Sequence, residues 1–270
     1  MTALQWHLPG DMVYHAGLDR GVLYVEGNPG VVWNGLISVD ENEGNSVDEV
    51  FYDGIKMNDI VNLGSFSGNI RAFTYPDEFF DCEGIEEDSP GVYFTSQPVK
   101  RFGLCYRTLV GEGNDGAVQG YKIHLLYNLT AVPATKQRQT LALDPTPDEF
   151  EWSITGIPEL VSDHRPTCHV IIDSRDIDPW LLQDLEAIFY GDETRTADLP
   201  PLKALTNFIK KWDRLIIVDN NDGTWTAIAQ RPGIINMIDA TRFEIVSDTA
   251  VYLDANTYEI SSSDRNEEDL

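Results

Sequence analysis

His164, Cys168 and His169 are the residues whose types and spacing come nearest to a metal-binding group. Imidazole and thiolate suit zinc, but zinc sites draw on two separated ligand pairs; here Pro166 interrupts the group and no second pair lies nearby in the chain. The group reads as a loop entering a strand, and no metal is expected. Asp219 to Gly223 superficially matches a calcium loop, yet its glycine falls one place early and no glutamate stands at the twelfth position, so a hairpin turn explains it better. Nucleophilic catalysis needs a base beside a Ser, Cys or Thr. There is no Gly-x-Ser-x-Gly elbow, and the 5 histidines sit in no catalytic context. With 45 acidic residues, carboxylate pairs arise by accident and do not point to glycoside cleavage. Gly111 to Gly116 lacks the lysine that would follow a phosphate-binding loop. The expectation is a protein with no active site, no cofactor and no metal.

The elements that would carry any site are mostly strands. The chain has 270 residues, 42% of them hydrophobic, with 21 Gly, 14 Pro, 6 Trp, 11 Tyr and 11 Phe; this is the turn-rich, ring-rich composition of a β protein and excludes disorder as the main state. No apolar run approaches the roughly 18–20 residues a bilayer helix needs. The opening MTALQWHLPGDM has no basic stretch followed by an apolar one, so a soluble protein, neither secreted nor membrane-spanning, is expected. Cys82, Cys105 and Cys168 are odd in number and form no Cys-x-x-Cys pair, so they read as reduced thiols.

Alternation is clearest from Tyr121 to Thr130, where Tyr121, Ile123, Leu125, Tyr127 and Leu129 share one face and Lys122, His124, Asn128 and Thr130 the other. This predicts a half-buried strand, paired in an antiparallel hairpin with Arg101 to Arg107 across the turn cluster Gly111 to Gly116. Shorter strands are expected at 21–25, 35–39, 50–52, 66–75 and 91–96, making residues 1–162 a β block. Residues 163–213 then change character: a buried strand at Val170 to Ile172, a helix capped by Asp178 with Pro179 at its first position, and a second helix from Pro201 to Trp212 with Lys210 and Lys211 near its negative end. Strands return over 214–260, and 261–270 reads as an acidic tail without order.

Charge is the largest fact about the surface. Against 45 acids stand 19 bases, a formal net charge of −26, so wrapping around nucleic acid is disfavoured. Two acidic segments stand out. Asp40 to Asp48, with Glu41 and Glu43 between, reads as a long loop flanked by strands, a candidate interaction arm. Asp77, Glu78, Asp81, Glu83, Glu86, Glu87 and Asp88 form a run with no base, read as a solvated loop or as a surface that keeps a polyanion from adhering.

Seven segments carry a family resemblance: Gly17 to Tyr24, Trp33 to Leu36, Phe73 to Phe79, Lys100 to Arg107, Gly120 to Asn128, His169 to Ser174 and Asn221 to Trp225. Together they resemble the major tail proteins of long-tailed, non-contractile bacteriophages, especially those of actinobacterial hosts. The resemblance implies an antiparallel β-sandwich or partial barrel of tail-tube type with flanking α-helices, six copies closing a ring and rings stacking into a hollow tube that delivers genomic DNA. It further implies a virion protein of the tail, assembled in the host cytoplasm beside partners such as the tape measure and tail terminator. Asp40, Glu41, Glu43 and Asp48 would then form an inter-ring arm and the second acidic run part of the lumen, past which double-stranded DNA slides without specific binding. The alternative is a minor tail or tail-tip protein that binds baseplate partners or host-surface glycans, with Trp33, Trp152, Trp180 or Trp225 as stacking platforms.

Overall fold

The computed structural model describes residues 13–44, 46–62, 64–112, 118–134, 148–161 and 164–212, together with six strands beyond them. The tip of the hairpin expected at Gly111 to Gly116 falls largely outside the described residues, and the tail 261–270 entirely so. The chain divides into two compact units, Met1–Ile177 with Leu185–Leu202, and Asp178–Asp184 with Lys203–Leu270.

The first unit is mainly antiparallel β, as expected. Its strands are β1 (Val13–Val25), β2 (Val31–Trp33), β3 (Leu36–Asn42), β4 (Ser46–Tyr52), β5 (Ile55–Asn62), β6 (Ser67–Ala72), β7 (Glu86–Ser89), β8 (Val92–Phe94), β9 (Phe102–Glu112), β10 (Val118–Pro133), β11 (Phe150–Gly156) and β12 (His169–Asp173). A 3₁₀ turn at Asp77–Phe79 leads into the one-turn helix α1 (Phe80–Glu83). The large sheet runs β2-β1-β9-β10-β11-β6-β3. β10 is long enough to pair twice along one edge, with β12 through Lys122 to Leu126 and with β11 through Leu129 to Pro133. Thus β12, which the sequence groups with the later helical segment, belongs to the large sheet.

The expected one-sided strand at 121–130 is corrected by the structure. Residues Ile123 to Tyr127 are all buried, including Leu126 and His124 on the face expected to be polar. The reason is that the sheet is covered on both sides. On one side β1 packs against β3, and Trp33, Phe79, Tyr106 and Trp152 fill the inner face, with Trp33 and Trp152 rings 5.8 Å apart. On the other, the end of α2 (Pro179–Tyr190) lies on the sheet: the Tyr24 hydroxyl donates to the Phe189 carbonyl at 2.5 Å and the Tyr121 hydroxyl to Glu186 at 2.8 Å. β1 is longer than the sequence suggests because two bulges, after Ala16 and after Asp19, let Gly17 and Arg20 take positive φ inside the strand.

In the second unit, Asp178 caps α2 as expected, its Oδ1 accepting from Trp180 N at 2.9 Å and Leu181 N at 3.3 Å. α3 (Leu202–Lys211) ends on Lys210 and Lys211. The strands β13 (Leu215–Asp219) and β14 (Trp225–Ala229) form the expected hairpin, and β15 (Ile235–Asp239), β16 (Arg242–Ile245), β17 (Val251–Asp254) and β18 (Thr257–Tyr258) form a four-stranded sheet. Of these, β15 has no counterpart in the sequence reading.

Candidate functional site

The acidic segment 40–48 is not a loop. Asp40 and Glu41 lie in β3, Glu43 in a short connection, and Asp48 in β4. β3 pairs with β6 out to Asn42 opposite Ser67. The same two chain directions then continue past the sheet as β4 and β5, which pair from Ser46 opposite Asn62 to Tyr52 opposite Ile55. A Cβ on Gly64 would stand 1.8 Å from the Gly44 carbonyl oxygen, so the two backbones touch at the root of this ribbon. At its tip Asp53 and Gly54 both take positive φ, 48° and 78°, the two-residue turn that matches the twist of a hairpin.

The ribbon pairs with no other strand among the described residues. Its polar anchor is Lys56, whose Nζ lies 2.6 Å from Glu49 Oε1 and 2.7 Å from Asp59 Oδ1. Around the tip, Val50, Phe51, Tyr52, Ile55 and Met57 are all exposed. The segment 40–48 singled out in the sequence covers only the root and the start of the first limb of this ribbon. Asp53-Gly54 between Tyr52 and Ile55 was the missed signal, masked by the polar Lys56, Asn58 and Asp59 that break the apolar pattern of β5.

The second acidic run is structured too. Asp77 and Glu78 are exposed on the 3₁₀ turn, and Glu86, Glu87 and Asp88 are exposed on β7, which pairs with β8 in a second small ribbon. Asp81 pairs with Lys100 Nζ at 2.8 Å. Glu83 departs from the expectation of a solvated or lumen-facing acid: it is buried and accepts a 2.5 Å hydrogen bond from Trp152 Nε1. Phe79 and Cys82 beside it are fully buried, and these apolar side chains draw the segment onto the sheet.

Of His164, Cys168 and His169, His164 is exposed, while Cys168 is a buried free thiol whose pKa burial pushes up to about 11. His169 instead faces two residues remote in sequence: its Nε2 lies 3.1 Å from His124 Nδ1 and 3.6 Å from Glu41 Oε1. Burial lowers the His169 pKa from its ordinary value, with Glu41 pulling the other way. Sequence reasoning missed this cluster because its members come from β3, β10 and β12. Among the candidate stacking residues, Trp33 and Trp152 are buried and Trp180 is exposed.

Fold and charge together define a mainly antiparallel β protein of formal net charge −26, with a two-stranded ribbon that pairs with no other strand among the described residues. No protein-family model matches the sequence, and no curated protein matches it. Among the solved structures that align with part of the chain are two from one injection system. One is a sheath/tube terminator chain of an extracellular contractile injection system, PVC, in the extended state, with 13% identity and a TM-score of 0.29 over 63% of this chain and 99% of that one. The other is from the PVC sheath-tube complex in the extended state, with 14% identity and a TM-score of 0.30 over 57% of this chain and 88% of that one.

Proposed function

We propose that the chain is a structural tail tube subunit of a long-tailed, non-contractile bacteriophage of an actinobacterial host, closing into hexameric rings that stack into a hollow tail for genomic DNA. The β4–β5 arm is the observation that carries this reading. A two-stranded ribbon alone is marginal in water, and this one presents an apolar tip and two edges that pair with no further strand among the described residues. A second copy supplies the missing partner. The large sheet also ends its hydrogen-bonded path on β2 and β3. Joining such edges head to tail around an axis is a heterologous contact that closes as a ring.

In this reading Asp40, Glu41, Glu43 and Asp48 belong to the root and first limb of the inter-ring arm. The exposed acids Asp77, Glu78, Glu86, Glu87 and Asp88 supply a negative lining, which repels phosphate over roughly 8 Å at physiological salt. Tape measure and tail terminator proteins are the partners, in a virion tail assembled in the host cytoplasm. Burial of Trp33 and Trp152 removes two of the stacking platforms on which the tail-tip alternative drew. Negative-stain imaging and light scattering of the purified protein across a concentration series test the proposal. Rings or tubes of uniform diameter are expected; a strict monomer at high concentration, with tail assembly factors added, overturns it.

A further inference from the structure

We propose that Glu41, His124 and His169 form a binding site for a divalent transition-metal ion of the zinc class, which ties β3 to β10 and β12 at the root of the arm. The three ligand atoms are Glu41 Oε1, His124 Nδ1 and His169 Nε2, with separations of 3.4, 3.6 and 3.1 Å. A triangle with those sides has a circumscribed radius of about 2.0 Å, so one point near its plane lies at the roughly 2.0–2.2 Å that zinc keeps from imidazole nitrogen and carboxylate oxygen. Two imidazoles and one carboxylate are the donor set of borderline divalent metals.

The surroundings fit a built site. The His124 and His169 side chains are 11% and 7% exposed, whereas Glu41 on the strand edge is more open and leaves a path for the ion. His124 Nε2 lies 3.0 Å from Thr108 Oγ1. If Nε2 carries the proton and donates it to that hydroxyl, Nδ1 is left as a lone pair aimed at the ion. Such outer hydrogen bonds fix the tautomer and ring angle of metal-binding histidines. Tyr106 stacks on the His124 ring at 4.8 Å and 5°, which restricts it further. Two imidazole nitrogens facing each other across 3.1 Å need either a shared proton or a cation between them, and the adjacent carboxylate supplies a third ligand and a negative charge for the cation.

The site stands whether or not the chain builds tubes, and its test reads metal directly. The full chain, stripped with chelator and dialysed, is titrated with Zn²⁺ alone by calorimetry and with Co²⁺ by visible absorption. One equivalent is expected, with a rise in the thermal midpoint. Glu41→Gln and His169→Ala should each lose stoichiometric binding, and Thr108→Val should weaken it 10- to 100-fold. Because His124 is packed under Tyr106, Glu41→Gln is the decisive variant: the change conserves shape at a side chain that is 24% exposed, and its thermal unfolding should match that of the metal-free wild type. Absence of stoichiometric binding by the folded wild type overturns the site, leaving a proton shared between the histidines. Full Zn²⁺ binding by folded Glu41→Gln and His169→Ala also overturns it, since the ion then sits elsewhere.

Discussion

Replacing the apolar tip of the arm separates assembly from folding. Phe51, Tyr52, Ile55 and Met57 are 57%, 72%, 66% and 68% exposed. Complete burial of a side chain of this size contributes about 1.5–3 kcal/mol, so with well over half its surface still open each has about 1–2 kcal/mol to give a neighbouring copy. Serine at one of these positions removes nearly all of that. At about 1.4 kcal/mol per tenfold, a single change such as Phe51→Ser should weaken association roughly 5- to 30-fold. Changing all four together should leave no assembly at concentrations where the wild type is fully assembled. The same substitutions should leave the isolated subunit within about 0.5 kcal/mol of wild-type stability, because they remove surface that is already in water. Sedimentation velocity over a concentration series reads the first quantity and thermal unfolding of the dissociated subunit the second. Normal assembly by the fourfold variant refutes the arm as the contact. A large loss of subunit stability refutes its independence from the sheet.

Three further outcomes follow from the interior. The Cys82 and Cys105 thiols are pushed up to about 12 by burial, so the reactive thiolate is suppressed; a native sample at pH 8 should resist a disulfide reagent that labels all three cysteines in denaturant, and fast native labelling would contradict the packing. The same raised values have a fixed sign for stability: the unfolded chain ionises these thiols above their ordinary pKa while the folded chain cannot, so unfolding free energy should decline with pH in that alkaline range, as denaturant titration at pH 8 and 10 will show. Removing the donor to a buried carboxylate by Trp152→Phe should couple to removal of the acceptor by Glu83→Met by about 1.5–3 kcal/mol in a double-mutant cycle, whereas additive effects would mean the hydrogen bond is worth nothing.

Local chemistry was legible in the sequence. Asp178 before Pro179 specified the start of α2, and the strand pair around Arg101 to Arg107 and Tyr121 to Thr130 followed from period and turn residues, because caps, turns and alternation act over a few neighbours. The arm was half legible: Asp53-Gly54 carried the turn, but a ribbon that pairs with no other strand among the described residues shows no clean apolar face. What tertiary structure alone decided is which faces became buried and which distant residues met. His124 looked polar and exposed along its strand, yet coiling of the sheet over β3 and the end of α2 covered both sides of β10. Glu83 sat in an acidic run until Trp152, 69 residues away, claimed it as an acceptor. Glu41, His124 and His169 converge because the register of three strands brings them together, and register is a property of the closed sheet rather than of any one segment.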